Sequence, residues 1–255
     1  MDIIQAIFLG IVQGLTEFLP VSSSGHLVLF QKVFGFKEAP VFFDTILHGA
    51  TLAAVIFYLR KDILDIIKDI KNSQKIIILV ALGTIPAVFF GLFFRDTIEK
   101  SFNSVWLLSA GFFITALMLF ATKFLKENGK NITGISWIDS LVVGVFQALS
   151  ILPSISRSGA TISSGIFMGI DRRSALKFSF LLSMPAILGA IVLQVFDING
   201  VSSGEIFYSI IGFFPAMFLG FWSLKFLDKY MANKKFSLFA YYCLVLGFLS
   251  LIFIY

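Results

Sequence analysis

Six uninterrupted apolar runs, at about residues 41–59, 76–94, 104–125, 178–196, 206–224 and 236–255, constrain this chain most. A helix needs about 20 apolar residues to cross a bilayer. In lipid every backbone polar group must be bonded within the chain, so runs of this length fold as spanning helices. Only 14% of the 255 residues are charged, against about 25% in soluble domains, and the mean hydropathy is +0.93. No polar block is long enough for a soluble domain. The chain is therefore expected to form one all-α integral membrane domain. The net charge of +5 is assigned to loops that set orientation rather than to nucleic-acid binding. Cys243 is the single cysteine, which excludes a disulfide within the chain. Met1-Asp2-Ile3-Ile4 lacks the basic start of a cleaved signal, so residue 1 is expected in the mature fold.

Two further apolar blocks, 3–34 and 137–170, are broken in the middle by polar residues. The first break reads Gln13-Gly-Leu-Thr-Glu17-Phe-Leu-Pro20-Val-Ser22-Ser23-Ser24-Gly25-His26. Polar groups at membrane depth are costly and mark function by default. The blocks also resemble each other. Gly10-Ile-Val-Gln-Gly-Leu-Thr-Glu-Phe-Leu-Pro20 aligns with Gly144-Val-Phe-Gln-Ala-Leu-Ser-Ile-Leu-Pro153 once one residue is skipped, and Val21-Ser-Ser-Ser-Gly25 with Ile155-Ser-Arg-Ser-Gly159. Farther on, Pro86-Ala-Val-Phe-Phe-Gly-Leu-Phe93 matches Pro215-Ala-Met-Phe-Leu-Gly-Phe-Trp222; the motif prolines precede these by 66 and 62 residues. The order and spacing point to a duplication: repeat one over 1–125 and repeat two over 137–255, joined by a polar linker, 126–136.

Basic loops face the cytoplasm. The most basic are 60–75 and 225–235, while 197–205 has no Lys or Arg. If the six runs span and the two broken blocks are re-entrant hairpins, the loops around 123–130 and 172–177 also fall inside. Those at 32–37 and 95–100 fall outside, and the two repeats have opposite orientation. Inverted repeats whose broken elements meet near the midplane are a known membrane architecture. Segment 60–75, with apolar residues at 63, 64, 66, 67 and 70, suits an amphipathic helix on the cytoplasmic surface.

The breaks carry chemistry. Gln13 and Glu17 share a helix face. Pro20 ends that helix and the serines stand where a half-helix begins, with free backbone N–H groups and a positive dipole end. Ser23 and His26 are one turn apart, within reach for an imidazole to activate a hydroxyl. The second break supplies Ser156, Arg157, Ser158 and Thr161. An Arg inside an apolar block needs a partner, and its planar fork suits phosphate. A carboxylate beside such a site is able to hold Mg²⁺ or Ca²⁺ through oxygen ligands. Ser22 and Ser24 read as packing and backbone satisfaction. His48 reads as a satisfied core residue, with the site-lining alternative resting on Asp44 one turn before it.

These residues carry a family resemblance. Gln13-x-x-x-Glu17 followed by Phe-Leu-Pro-Val-Ser-Ser-Ser-Gly-His26 resembles the first motif of the undecaprenyl-pyrophosphate phosphatases, a family linked to bacitracin resistance. Pro153-Ser-Ile-Ser-Arg-Ser-Gly-Ala-Thr161 is similar to the second. The resemblance implies hydrolysis of undecaprenyl pyrophosphate to its monophosphate, which recycles the lipid carrier for cell-wall synthesis. It implies a divalent cation, Mg²⁺ or Ca²⁺, and a multi-pass protein of the bacterial cytoplasmic membrane whose active site opens to the outer face. Onto this chain it carries Ser23 as nucleophile, His26 as general base, and Glu17 with Gln13 as metal or proton-handling residues. Arg157, Ser156, Ser158 and Thr161 would bind the pyrophosphate. Ser154 departs from the pattern, standing where the family usually has glycine. The rival reading is a transporter or flippase of a prenyl phosphate lipid, motivated by the inverted repeat. The sequence leaves the oligomeric state open, a homodimer included.

Overall fold

A computed structural model describes residues 1–34, 41–125, 129–196, 198, 200–232 and 236–254. Among them are twelve α-helices and no strand, only an isolated bridge between Lys130 and Ile170. The first broken block forms α1 (Ile3–Phe18) and α2 (Ser23–Val33), and the second forms α8 (Trp137–Leu149) and α9 (Arg157–Phe167). Between them lie α3 (Val41–Tyr58), α4 (Arg60–Lys68), α5 (Ile70–Phe93), α6 (Arg95–Ser101) and α7 (Val105–Ala121); α10 (Arg172–Val195), α11 (Ser203–Ala232) and α12 (Phe239–Ile254) follow.

The two broken blocks are built by the same local rules. A capping box starts each: Asp2 with Gln5 for α1, Ser136 with Asp139 for α8. Each first helix stops just before or within the turn that carries its proline, a residue that has no N–H to donate to the helix ladder. Each second helix then starts on a serine cap. Ser22 Oγ accepts from the Gly25 N–H (3.2 Å), and Ser156 Oγ from the Gly159 N–H (3.1 Å). The half-helices expected after Pro20 and Pro153 therefore form, and both begin at a polar residue, Ser23 and Arg157.

Packing crosses the chain. α1 lies along α11, α8 along α5, and α7 along α12. The α1–α11 contact passes through Gly10, where a Cβ would stand 3.1 Å from Gly212 Cα; the α5–α8 contact passes through Gly144, where a Cβ would stand 2.9 Å from Gly83 Cα. In lipid, helices associate by such close approach of small residues. A single large apolar core, including Phe18, Phe178, Phe180, Leu182 and Phe236, joins both halves. Many phenylalanines elsewhere, among them Phe89, Phe93 and Phe218, face outward, as lipid contact requires.

Five of the described helices are long and apolar enough to cross a membrane, within Val41–Tyr58, Ile70–Phe93, Val105–Phe124, Arg172–Val195 and Ser203–Met231. The sixth expected run forms α12, at 16 residues shorter than the others. The expected surface helix over 60–75 is split. It ends at Asp69, whose carboxylate accepts from the Asn72 N–H (3.3 Å) and so starts α5; residues 70–75 belong to the spanning helix instead. In α4, Ile63 and Ile66 pack on the core while Leu64 and Ile67 are exposed. The part of the linker that is described is bonded down. Lys130 N–H donates to the Gly169 carbonyl (2.7 Å), Asp171 N–H to the Lys130 carbonyl (2.9 Å), and Lys130 Nζ to Asp139 (2.9 Å). Lys37, Glu38 and Pro40 of the first polar loop, 126–128 of the linker, Asp197 and Asn199, and 233–235 lie outside the described residues.

Candidate active site

Glu17 is the hub of the site. Its side chain is 2% exposed, on the last turn of α1. Gln13, one turn earlier and fully buried, donates its amide Nε2 to Glu17 Oε2 (3.1 Å), which realises the shared face read from their spacing. Ser23, the first residue of α2, donates its hydroxyl to the same Oε2 (2.6 Å). Arg157, the first residue of α9, donates Nη2 to Glu17 Oε1 (2.6 Å) across 140 positions of sequence. A buried carboxylate without partners would be prohibitively costly in this setting, so the ion pair and the two neutral donors keep the charge in place. The equivalent first residues of the two half-helices thus converge on one carboxylate.

These groups line a cavity of about 600 Å³. Its polar wall holds Gln13, Glu17, Ser22, Ser23, Ser24, Ser156 and Arg157; its apolar wall comes largely from α5 and α10, with Val88, Leu92 and Leu193. The first turns of both half-helices lie on the cavity wall and their first residues bond Glu17, so the two positive dipole ends lie beside the same space. Arg157 Nη2 is taken by Glu17, and the rest of its fork suits phosphate oxygens. A cavity with one hydroxyl already bonded to a carboxylate acceptor, beside a guanidinium, is equipped for attack on phosphorus.

Several expected residues sit elsewhere. The expected Ser23–His26 hydrogen bond is not the one formed: His26 Nδ1 bonds the Ser22 carbonyl (2.6 Å) and Nε2 the Tyr242 hydroxyl (2.8 Å), while Ser23 turns to Glu17. His26 is 2% exposed and lies outside the cavity wall. Thr161 and Ser158 also point away from the cavity. Thr161 donates to the Arg157 carbonyl (2.8 Å) and pairs with Ser179 Oγ (2.6 Å), the back-bonding common for a hydroxyl in a helix interior. Ser158 donates to the Leu19 carbonyl (3.0 Å), tying α9 to the end of α1. Ser156 lines the cavity but acts as the cap of α9.

Conversely, His48 lines the cavity rather than sitting in the core, and Asp44, one turn before it, lines the cavity as well. His48 Nδ1 bonds the Asp44 carbonyl (2.9 Å). The signal was present in their i, i+4 spacing inside an apolar span. Gln147, the counterpart of Gln13, and Gln194 also reach the wall. Nothing local marks Tyr242, which stands 216 residues from its partner.

For a divalent cation, the donor set is lean. Among the described residues no group of three or more His, Cys, Asp and Glu is arranged to hold a metal. Gln13 Oε1, however, is a buried amide oxygen with no hydrogen-bond partner beside the Glu17 carboxylate. One carboxylate and one amide oxygen fit a hard cation that also takes water and substrate phosphate as ligands.

Comparison with known proteins bears on this arrangement. A family model described as "Bacitracin resistance protein BacA" matches residues 6–249. The chain is 45% identical over 251 residues to an undecaprenyl-diphosphatase of Carboxydothermus hydrogenoformans, covering 97% of this chain and 95% of the relative. It is 40% identical over 254 residues to an undecaprenyl-diphosphatase of Methanococcus maripaludis, covering 98% and 100%. It is also 40% identical over 256 residues to undecaprenyl-diphosphatase 4 of Bacillus cereus, covering 98% and 97%.

Proposed function

The chain belongs to the bacitracin resistance protein BacA family, and from this we propose that it is an undecaprenyl-diphosphatase, a membrane hydrolase releasing phosphate from undecaprenyl pyrophosphate. The observation that carries the reading is the meeting of Ser23 and Arg157 on Glu17 in a cavity with an apolar wall. The wall suits the prenyl chain and the polar end its pyrophosphate. Ser23 Oγ attacks the terminal phosphorus and passes its proton to Glu17. The bond from that phosphorus to the bridging oxygen breaks, and undecaprenyl phosphate leaves. Water then attacks the phosphoseryl ester; Glu17 takes the water's proton and returns its own to Ser23 as phosphate departs. Arg157 and the two helix N-terminal ends offset the charge that builds on the phosphoryl oxygens. Bound Mg²⁺ or Ca²⁺ would neutralise further charge there, and Gln13 Oε1 and Glu17 are the residues that would hold it.

The same reading takes the chain as two inverted repeats, 1–125 and 137–255, with six spans and two re-entrant hairpins, in the bacterial cytoplasmic membrane. Matched capping and glycine contacts in the two halves support the repeat. Three basic segments assigned inside are bonded together at one end of the bundle: Lys177 pairs with Asp62, Lys75 donates to the Thr133 carbonyl (2.5 Å), and Arg172 to the Thr122 carbonyl (3.2 Å). Gln31, Ile98 and Phe102, beside the loops assigned outside, line the cavity, which supports an opening to the outer face.

The test is phosphate release from a prenyl pyrophosphate by the purified protein with Mg²⁺ or Ca²⁺. Ser23→Ala and Arg157→Ala should each remove turnover; full turnover in both would sink the assignment. Lipid transport across vesicles that survives Ser23→Ala would favour the transporter instead.

A further inference from the structure

Tyr242 has no part in the reaction just described, yet it contacts the machinery. A carbonyl oxygen only accepts, so the His26 Nδ1 that bonds Ser22 carries the ring proton. In the neutral imidazole Nε2 is then the acceptor, and the Tyr242 hydroxyl donates to it at 2.8 Å. The two rings lie 10° from parallel with centroids 5.6 Å apart. This leaves His26 no lone pair for the Ser23 proton, and Ser23 is already bonded to Glu17.

What the imidazole holds is Ser22. That residue stands at φ 69°, a left-handed conformation that a side chain makes unfavourable and that persists only where its surroundings enforce it. Its carbonyl receives two donors, the His26 backbone N–H (3.3 Å) and the His26 ring (2.6 Å). Its hydroxyl caps the Gly25 N–H. The next residue is Ser23, so the conformation of Ser22 sets the direction in which Ser23 enters the cavity. The other half has an analogous brace. Ser154 stands at φ 61°, and the Thr115 hydroxyl of α7 donates to its carbonyl (3.2 Å) and accepts from the Ser156 N–H (3.0 Å).

We propose that Tyr242 and His26 form a positioning relay for the nucleophile: Tyr242 holds the His26 ring in place through Nε2, His26 pins the Ser22 carbonyl, and the pinned turn aims Ser23 at Glu17. No proton travels along it during the reaction. The proposal rests on Ser23 being the nucleophile of the phosphatase reading.

The test compares hydrolysis of a prenyl pyrophosphate by the full chain carrying His26→Ala, His26→Asn, Tyr242→Phe, His26→Asn with Tyr242→Phe, and Ser23→Ala. An asparagine amide places an N–H where Nδ1–H stands but is no base. His26→Ala should lower kcat by about 100-fold, the cost of a misplaced reacting group, with KM little changed. His26→Asn should recover kcat to within about 10-fold of the parent and leave the shape of the kcat/KM pH profile intact. Tyr242→Phe should lower kcat about 2- to 10-fold, one buried hydrogen bond's worth, and add nothing in the His26→Asn background. A His26→Asn protein as inactive as His26→Ala would make His26 the base and overturn the relay. So would equal losses from Tyr242→Phe in both backgrounds. Should the His26 variants not fold, Tyr242→Phe decides alone, since a parental kcat overturns the proposal. Ser23→Ala with full turnover removes the phosphatase reading and the relay together, whereas failures confined to His26 and Tyr242 overturn the relay only.

Discussion

Replacing Ser154 by glycine should make the protein more stable. Ser154 adopts φ 61°, is fully buried, and its Oγ has no hydrogen-bond partner. Its neighbours are as close as they are able to be. A Cβ on Gly25 would stand 2.6 Å from Ser154 Oγ, and one on Gly111 3.0 Å from Ser154 Cβ, so only glycines admit this side chain. Left-handed backbone costs a side-chain-bearing residue about 1–2 kcal/mol, and an unpaired buried hydroxyl about 1–3 kcal/mol. Against this, glycine loses about 0.5–1 kcal/mol of backbone entropy on folding, and the vacated space forfeits packing worth about 1 kcal/mol. The balance is a gain of about 2 kcal/mol, or about 4–8 °C in Tm for a chain of this size. Cys243, the only cysteine and fully buried, supplies the assay. A thiol-reactive fluorogenic dye reports its exposure as the detergent-solubilised protein is heated. Ser154→Ala is the control, because it removes the hydroxyl and keeps the strain, and its Tm should fall between the two. A Ser154→Gly protein melting below both the parent and Ser154→Ala would refute the reasoning.

Glu17→Gln keeps the shape but replaces one acceptor oxygen by an amide NH₂ and removes the proton acceptor for Ser23, so kcat should fall about 10²- to 10⁴-fold in steady-state phosphate release; a loss below threefold would exclude Glu17 as that acceptor. Gly144→Ala forces a Cβ to within 2.9 Å of Gly83 Cα, and prying α5 from α8 should cost about 1–3 kcal/mol, read as a lower melting point by the same dye. An unchanged melting point would mean the two helices adjust freely. Chelation with EDTA should abolish turnover and added Mg²⁺ or Ca²⁺ restore it. Gln13→Ala should raise the cation concentration for half-maximal rate by about 10-fold, and an unchanged requirement would remove Gln13 from the cation site.

Local chemistry made much of this protein legible. A proline followed by serines ends a helix and a serine three residues before a free N–H caps the next, whereas Pro86, Pro185 and Pro215, with apolar neighbours, stay inside α5, α10 and α11. Residues 13–26 and 153–161 therefore announced two broken helices, each with a polar residue at the start of its second half. The i, i+4 spacing of Gln13 and Glu17 likewise settled their contact. The amphipathic pattern over 60–75 was less decisive, because the position of a helix break depends on a cap. Asp69 supplied one inside a pattern that was otherwise continuous.

Partner choice could not be read the same way. Ser23 is within a turn of His26, but spacing sets only what is within reach, and the acceptor it takes is Glu17 on another helix. His26 was captured instead by Ser22 and by Tyr242 from the far end of the chain. Thr161 and Ser158, polar residues beside Arg157, were drawn into bonds that hold α9 to α10 and α1. The sequence by itself determined where the two polar-interrupted helices break, which polar residues lie at membrane depth, and that a carboxylate, a hydroxyl and a guanidinium are among them. Only the tertiary structure decided that Ser23 and Arg157 meet on one carboxylate, and that Asp44 and His48 face the same cavity. A buried hydrogen-bonding group takes whichever partner the packing of distant helices brings to it, and that packing is a property of the whole chain.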